Sequence, residues 1–368
     1  MMRKRILAAV AVATLAATAL AGCSSSKSST SSGSSSNAAA SNNKVGILLP
    51  DTASSPRWVS ADPKELSAQC AKYNLDCKVY NANGSDSTQE TQNQQLISWG
   101  AGVILLVDLD SASGAAIQKL DVSKGVVPID YDRLTQGGSA SYYVSFDNVQ
   151  VGKDQGKALT QCSEVAGKSS VGYTEIDGAA TDNNATLFAQ GYNSVLSTQA
   201  GWTKLDDGNG NWSATTATSV FQNQLGKYGS KINAVMVAND TMAQSVINVL
   251  QQQGLAGKVA VSGQDATPGG LDNIMAGSQC FTIYKPVAGE ADVAIKLASE
   301  ILAGQKPTAP ATVTDPSNGK SVPAYLATPT VITQANVALP VKDGYETAAS
   351  VCGTSATAQA NCTKFGIS

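Results

Sequence analysis

The chain has 368 residues, 42% hydrophobic, 14% charged and 5% aromatic, with 33 glycines, 12 prolines, 7 cysteines and no histidine. Such a chain has a sizeable core and is too long for one ordinary domain, and without histidine it cannot host a Ser-His-Asp or Cys-His nucleophile or a zinc site that needs an imidazole. A net charge of −3 argues against a nucleic-acid partner.

Arg3, Lys4 and Arg5 precede an apolar run from Ile6 to about Leu20 that is too short and alanine-rich to span a membrane, so residues 1–22 read as a secretory signal. The run closes Leu20-Ala21-Gly22-Cys23, which resembles the lipobox of bacterial lipoproteins and implies cleavage before Cys23 with a lipid on its sulfur. The competing reading is a buried N-terminal helix with a chance cysteine. Residues 23–43, almost all Ser, Ala, Gly, Asn and Lys, hold too little apolar surface to fold and read as a tether.

From Lys44 onward short β-branched runs alternate with longer amphipathic stretches. The pattern predicts strands at 45–49, 77–81, 103–107 and 126–131, with helices at 63–73, 87–99 and 112–120 between them. A second series comes after a strand at 142–146. Helices are expected at 149–162, 185–198, 214–226, 242–252 and 269–276, with strands at 170–176, near Thr203, and at 234–238, 259–262 and 280–284. Repeated β-α-β units imply two parallel sheets covered on both faces: an α/β fold of two doubly wound, Rossmann-like lobes. The segment 206–211, Asp-Asp-Gly-Asn-Gly-Asn, has the composition of a calcium loop but lacks the EF-hand spacing and closing glutamate, and reads as a turn. Glycines 263, 269 and 270 form no dinucleotide fingerprint. No metal site or cofactor is expected.

Past Cys23 six cysteines remain: Cys70, Cys77, Cys162, Cys280, Cys352 and Cys362. In an oxidising compartment an even count points to disulfides. Of fifteen possible pairings, proximity favours Cys70 with Cys77 and Cys352 with Cys362, leaving Cys162 for Cys280.

In doubly wound sheets ligands sit beyond the carboxyl ends of the strands. The residues standing there are Arg57 and Trp58, then Asp132 and Arg133, then Asp182 to Asn184, and after them Trp212, Asn239 with Asp240, Asp265 and Lys285. Carboxylates, amides, fixed cations and indoles suit a polyhydroxylated ligand, whose hydroxyls both donate and accept while its C–H faces cover an aromatic ring. Trp202 reads as core, and Trp58 as a wall of the cleft.

These positions carry a resemblance. Arg57-Trp58, Tyr131-Asp132-Arg133, the run 145–148 (Ser-Phe-Asp-Asn), Asp182-Asn183-Asn184, Asn239-Asp240, the run 262–265 (Ser-Gly-Gln-Asp) and Tyr284-Lys285-Pro286 resemble, in this order, the periplasmic sugar-binding proteins of the ribose/galactose class, in particular those that bind D-xylose. The resemblance spans about residues 45–345. It implies a type I periplasmic binding protein with a three-segment hinge, one lobe formed by 44–145 with 286–329 and the other by 146–285 with 330–368. It also implies a monosaccharide ligand held by Arg57, Asp132, Arg133, Asn184, Trp212, Asn239, Asp265 and Lys285, and partnership with the permease and ATPase subunit of an ABC importer. The expected state is a monomer, lipid-anchored outside the cell membrane. The sequence departs from this pattern in one extra residue before Arg57, the Gly/Asn run beside Trp212, and the added cysteines.

Other functions fit less well. A transcriptional regulator of similar architecture needs an N-terminal helix-turn-helix where this chain has its apolar run and serine tract. A sugar sensor for a membrane receptor would share the whole pattern. A glycosidase would need Asp132 and Asp265 to face each other with one raised pKa, whereas neighbouring Arg133 and Lys285 would depress both.

Overall fold

The computed structural model describes residues 42–368; the secretory signal, Cys23 and almost all of the tether lie outside the described residues. Asn42 and Asn43, read as the end of the tether, already bond to the folded part, where Asn42 Nδ2 donates to the Gly100 carbonyl and Asn43 Nδ2 to that of Asn74.

The first β-α series is β1 (Lys44–Leu49), α1 (Ala61–Lys72), β2 (Asp76–Asn81), α2 (Asp86–Trp99), β3 (Val103–Leu106), α3 (Ser111–Ser123), β4 (Val127–Tyr131) and β5 (Tyr142–Phe146). The second is α4 (Asn148–Thr160), β6 (Val171–Asp177), α5 (Asn183–Leu196), β7 (Trp202–Asn209), α6 (Ala214–Tyr228), β8 (Ile232–Val237), α7 (Asp240–Gln252), β9 (Ala260–Val261), α8 (Pro268–Ala276) and β10 (Thr282–Tyr284). The chain returns through α9 (Val287–Leu302), β11 (Ala311–Thr314) and β12 (Ser321–Ala327), then ends with β13 (Thr330–Ile332), α10 (Leu339–Lys342), α11 (Ala348–Cys352) and α12 (Ala356–Lys364).

Two lobes result. One sheet runs β11-β12-β5-β4-β3-β1-β2, parallel except at β11; the other runs β7-β6-β8-β9, all parallel, and β10 pairs antiparallel with β13. The Cys280 amide donates to the Val261 carbonyl at 2.9 Å, attaching the start of β10 to β9. The chain crosses between the lobes three times, after Phe146, Tyr284 and Ala327, and the Asp147 amide donates to the Ala327 carbonyl to tie two of the crossings together.

β1 shows why the central strands are apolar on both faces. Val45, Ile47 and Leu49 pack with Val103, Leu105 and Ile129 against α1 and α9, while Leu48 points the other way to join Leu96, Ile104 and Ile117 from the α2 and α3 side. In the second lobe Ala234 and Met236 of β8 face Leu159, Phe188 and Tyr192, and Val235 and Val237 face Phe221, Val246 and Leu250. Helices α4 and α5 cross at Gly152 and Gly191, where any β-carbon would overlap the facing backbone.

The disulfides join Cys70 to Cys77, Cys162 to Cys280 and Cys352 to Cys362. They close the turn from α1 into β2, fix the end of α4 to the start of β10, and clasp α11 to α12. Residues 206–211 correct the expectation of a turn. The strand β7 continues through Asp206 to Asn209, because each of these residues is in ladder register with β6, and the turn is confined to Asn211 and Trp212. Trp202 is half-buried at that sheet edge against Tyr173, 5.8 Å between ring centroids. Among the described residues no helix is long and apolar enough to cross a membrane.

Candidate ligand site

The site is assembled from loops at the ends of strands. After β1, Asp51 accepts from the amides of Ala53 and Ser54 and from the Ser54 hydroxyl, fixing the loop that carries Ser54, Ser55, Arg57 and Trp58. Two helix caps at the opposite wall also belong to the site. Asp182 Oδ1 accepts from the Asn184 amide at the start of α5, and Asn239 Oδ1 from the Met242 amide at the start of α7. The second atom of each cap turns to the cleft. Asp182 Oδ2 lies 3.0 Å from Arg133 Nε and accepts from Trp212 Nε1 at 3.1 Å, and Asn239 Nδ2 donates across the cleft to the Ser54 carbonyl at 2.9 Å.

Arg57 is buried among three carboxylates. Its Nε and Nη2 donate to Asp62 at 2.8 and 2.7 Å, Nη2 also to Glu290 at 2.7 Å, and Nη1 to Asp132 at 2.6 Å, while its guanidinium lies 4.4 Å from the centre of the Trp58 ring. Of its five donors one N–H remains uncommitted. The sequence marks Arg57 as a ligand donor; its larger observed task is to hold Asp132. Asp62, from the first turn of α1, and Glu290, from the first turn of α9, escape the sequence reading, because neither stands after a strand.

Asp132 and Asp265 share an unusual backbone. Their φ angles are +62° and +93°, and Trp212 has +54°, a left-handed conformation that non-glycine residues adopt only when their surroundings impose it. At Asp132 the imposition is visible: its amide donates to the Val144 carbonyl, and its own carbonyl accepts from Tyr143, Ser145 and Asn184 at 2.7–3.0 Å. Lys285 Nζ sits 3.2 Å from Asp265 Oδ1 and 3.9 Å from Asp132 Oδ1. Phe188 meets Trp212 edge-on at 6.5 Å. Gly178 lies against the Trp212 ring, where a β-carbon would overlap it.

All nine residues expected from the sequence, Arg57, Trp58, Asp132, Arg133, Asn184, Trp212, Asn239, Asp265 and Lys285, line one cavity together with Ser54, Ser55, Asp182, Phe188 and Gln264. The cavity encloses about 320 Å³ of empty space, part of it open to solvent, at the lower end of the range for small-molecule sites. Burial works against ionisation of Asp132, yet Arg57, Lys285 and Arg133 outweigh it and hold the carboxyl below its usual range. Glu290 is pushed the other way, to about 8, by burial and by Asp132 and Asp62. Asp182 is raised by burial against the pull of Arg133.

A strand-end cavity between two parallel-sheet lobes accords with the family model that matches residues 45–306, the periplasmic binding protein domain. The chain belongs to the periplasmic binding protein family. Among its relatives in that family is the D-xylose-binding periplasmic protein of Escherichia coli, 34% identical over 279 residues, 74% of this chain and 82% of the relative. The multiple sugar-binding periplasmic receptor of Rhizobium radiobacter is 28% identical, covering 79% of this chain and 87% of its own. A carbohydrate transporter solute-binding protein from Chloroflexus aurantiacus, solved in complex with D-glucose, superposes with a TM-score of 0.74 at 26% identity, over 83% of this chain and 97% of that one. The periplasmic binding protein fold thus accounts for the three crossings and for the position of the cavity.

Proposed function

We propose that this protein captures a neutral monosaccharide, D-xylose foremost, between its two lobes and delivers it to the permease of an ABC importer with its ATPase subunit. The observation that carries the reading is the chemistry of the cavity wall: from both lobes it presents paired carboxylates and cations, three amides and two indoles, a set matched to ring hydroxyls and sugar C–H faces. The relatives named for D-xylose, several sugars and D-glucose support the sugar class.

In this reading Asp132 and Asp265 accept from ring hydroxyls, while Arg133, Asn184, Asn239, Lys285 and the last N–H of Arg57 donate, and Trp212 and Trp58 cover apolar faces. Asp132, held ionised, suits an acceptor and not a general acid. The lobes divide within the three crossings, near 145/146, 285/286 and 329/330. A ligand touching both has more contacts in the closed state and shifts the hinge toward it, which is what the permease reads. The molecule acts as a monomer, anchored through lipid on Cys23 at the outer face of the membrane.

The test is a thermal-shift panel of D-xylose, D-glucose, L-arabinose, D-ribose and D-glucuronate. A ligand specific to the folded state raises the melting temperature. D-Xylose is expected to give the largest rise and D-glucuronate none, since its carboxylate would face Asp132, Asp182 and Asp265. No rise with any neutral sugar, or an equal rise with the uronate, would overturn the reading.

A further inference from the structure

The C-terminal segment reaches the back of the site at one point. Tyr345 donates its hydroxyl to the backbone carbonyl of Asp265 at 3.0 Å. Its ring packs on Tyr284 of β10 at 5.1 Å between centroids, one residue before Lys285. From the other lobe, Lys64 Nζ of α1 donates to the Gly344 carbonyl at 3.0 Å. Tyr345 therefore touches the backbone of one charged cavity residue and the neighbour of a second, and its own neighbour bridges the lobes.

Asp265 needs such support. At a φ of +93° its peptide is held on the amide side by the Ile283 carbonyl at 2.8 Å and on the next residue by Thr282, whose hydroxyl accepts from the Ala266 amide at 3.1 Å. The phenol is the side-chain donor to the carbonyl itself. Its segment is anchored in turn, since the Tyr345 amide bonds to the Pro340 carbonyl, Thr347 and Ser350 form a reciprocal cap on α11, and the Cys352–Cys362 clasp packs Val351 and Ile367 onto Leu271 and Ile274 of α8. Burial raises the Tyr345 pKa well above that of a free phenol, so it remains a donor at any physiological pH.

We propose that Tyr345 is a positioning residue for Asp265: its hydroxyl fixes the left-handed peptide that aims the Asp265 carboxylate at Lys285 and into the cavity, and so sets ligand affinity without touching the ligand. This rests on the reading of the cavity as a monosaccharide site. The disulfide-clasped tail is the platform that holds the phenol in place.

The experiment is a double-mutant cycle read by calorimetric titration with D-xylose and, separately, D-glucose. Tyr345→Phe keeps the ring and removes the hydroxyl; it is expected to weaken binding about tenfold, as for loss of one part-buried hydrogen bond. In the Asp265→Asn background, which retains an acceptor oxygen but not the charge that must be aimed, the same change is expected to have less than about a twofold effect. A merely structural hydroxyl would weaken both backgrounds equally, and that result, or wild-type affinity in Tyr345→Phe, overturns the proposal. If Asp265→Asn alone leaves affinity unchanged, the site reading fails instead, and the inference falls with it.

Discussion

At the residue scale, the cavity is built from side chains that serve twice. Asp182 and Asn239 cap helices with one atom and face the cleft with the other, so a ligand group placed there comes with helix-cap precision. Trp212 depends on a residue that carries no side chain. Gly178→Ala is expected to force the ring out of place, lowering sugar affinity by about 1–3 kcal/mol through overpacking, with a shift in tryptophan emission; unchanged emission and affinity would show that the ring has room. The strand-end residues were legible because parallel sheets put ligands at carboxyl ends. Asp62 and Glu290 were not, since Arg57 recruits them from helix starts, Glu290 from 233 residues away. The positive φ at Asp132, Asp265 and Trp212 was equally silent, as no glycine marks those positions.

At the element scale, local composition misled where tertiary pairing decided. Asp206 to Asn209 have turn residues, yet the ladder with β6 draws them into β7. The short β9 is only a two-residue ladder, although four residues had strand character. The return of the chain through α9, β11 and β12 escaped the periodic reading because β12 inserts beside β5, far away in sequence, and only the family resemblance implied it. The disulfides allow a ranking by loop length. Cys162–Cys280 closes a separation of 118 residues and Cys70–Cys77 one of 7. Replacing the first pair by alanine is expected to cost about 5 kcal/mol and the second about 2 kcal/mol on chain-entropy grounds. Urea unfolding of the two double variants checks the order, and equal losses would refute it.

At the scale of the whole molecule, six buried carboxyls are held well above their usual range, and of these only Glu290 and Glu175 form an ion pair, with Arg57 and Lys204. Burial pushes Asp130 and Glu290 to about 8, and Asp108, Asp121, Asp240 and Glu175 to about 7. Each of these binds its proton more tightly when folded than when unfolded, so its stabilising effect is complete below the unfolded pKa and is lost as pH rises through 7 to 8. Asp132, depressed in the fold, works in the opposite sense but only as pH falls toward and below 4. The melting temperature should therefore be higher at pH 5.5 than at pH 8 by about 3 °C or more. A higher value at pH 8 would mean that these groups stay ionised in the fold.

The central claim is that the interlobe cavity binds a neutral sugar through its charged wall, and Asp265 is its most direct test, since that carboxylate lines the cavity from the second lobe and pairs with Lys285. Calorimetric titration of the protein with D-xylose is expected to show saturable one-to-one binding, and Asp265→Ala to weaken it by about 2–5 kcal/mol, the cost of removing one partner of a desolvated charge pair. Unchanged affinity in Asp265→Ala, or no D-xylose binding by the unaltered protein, would contradict the account.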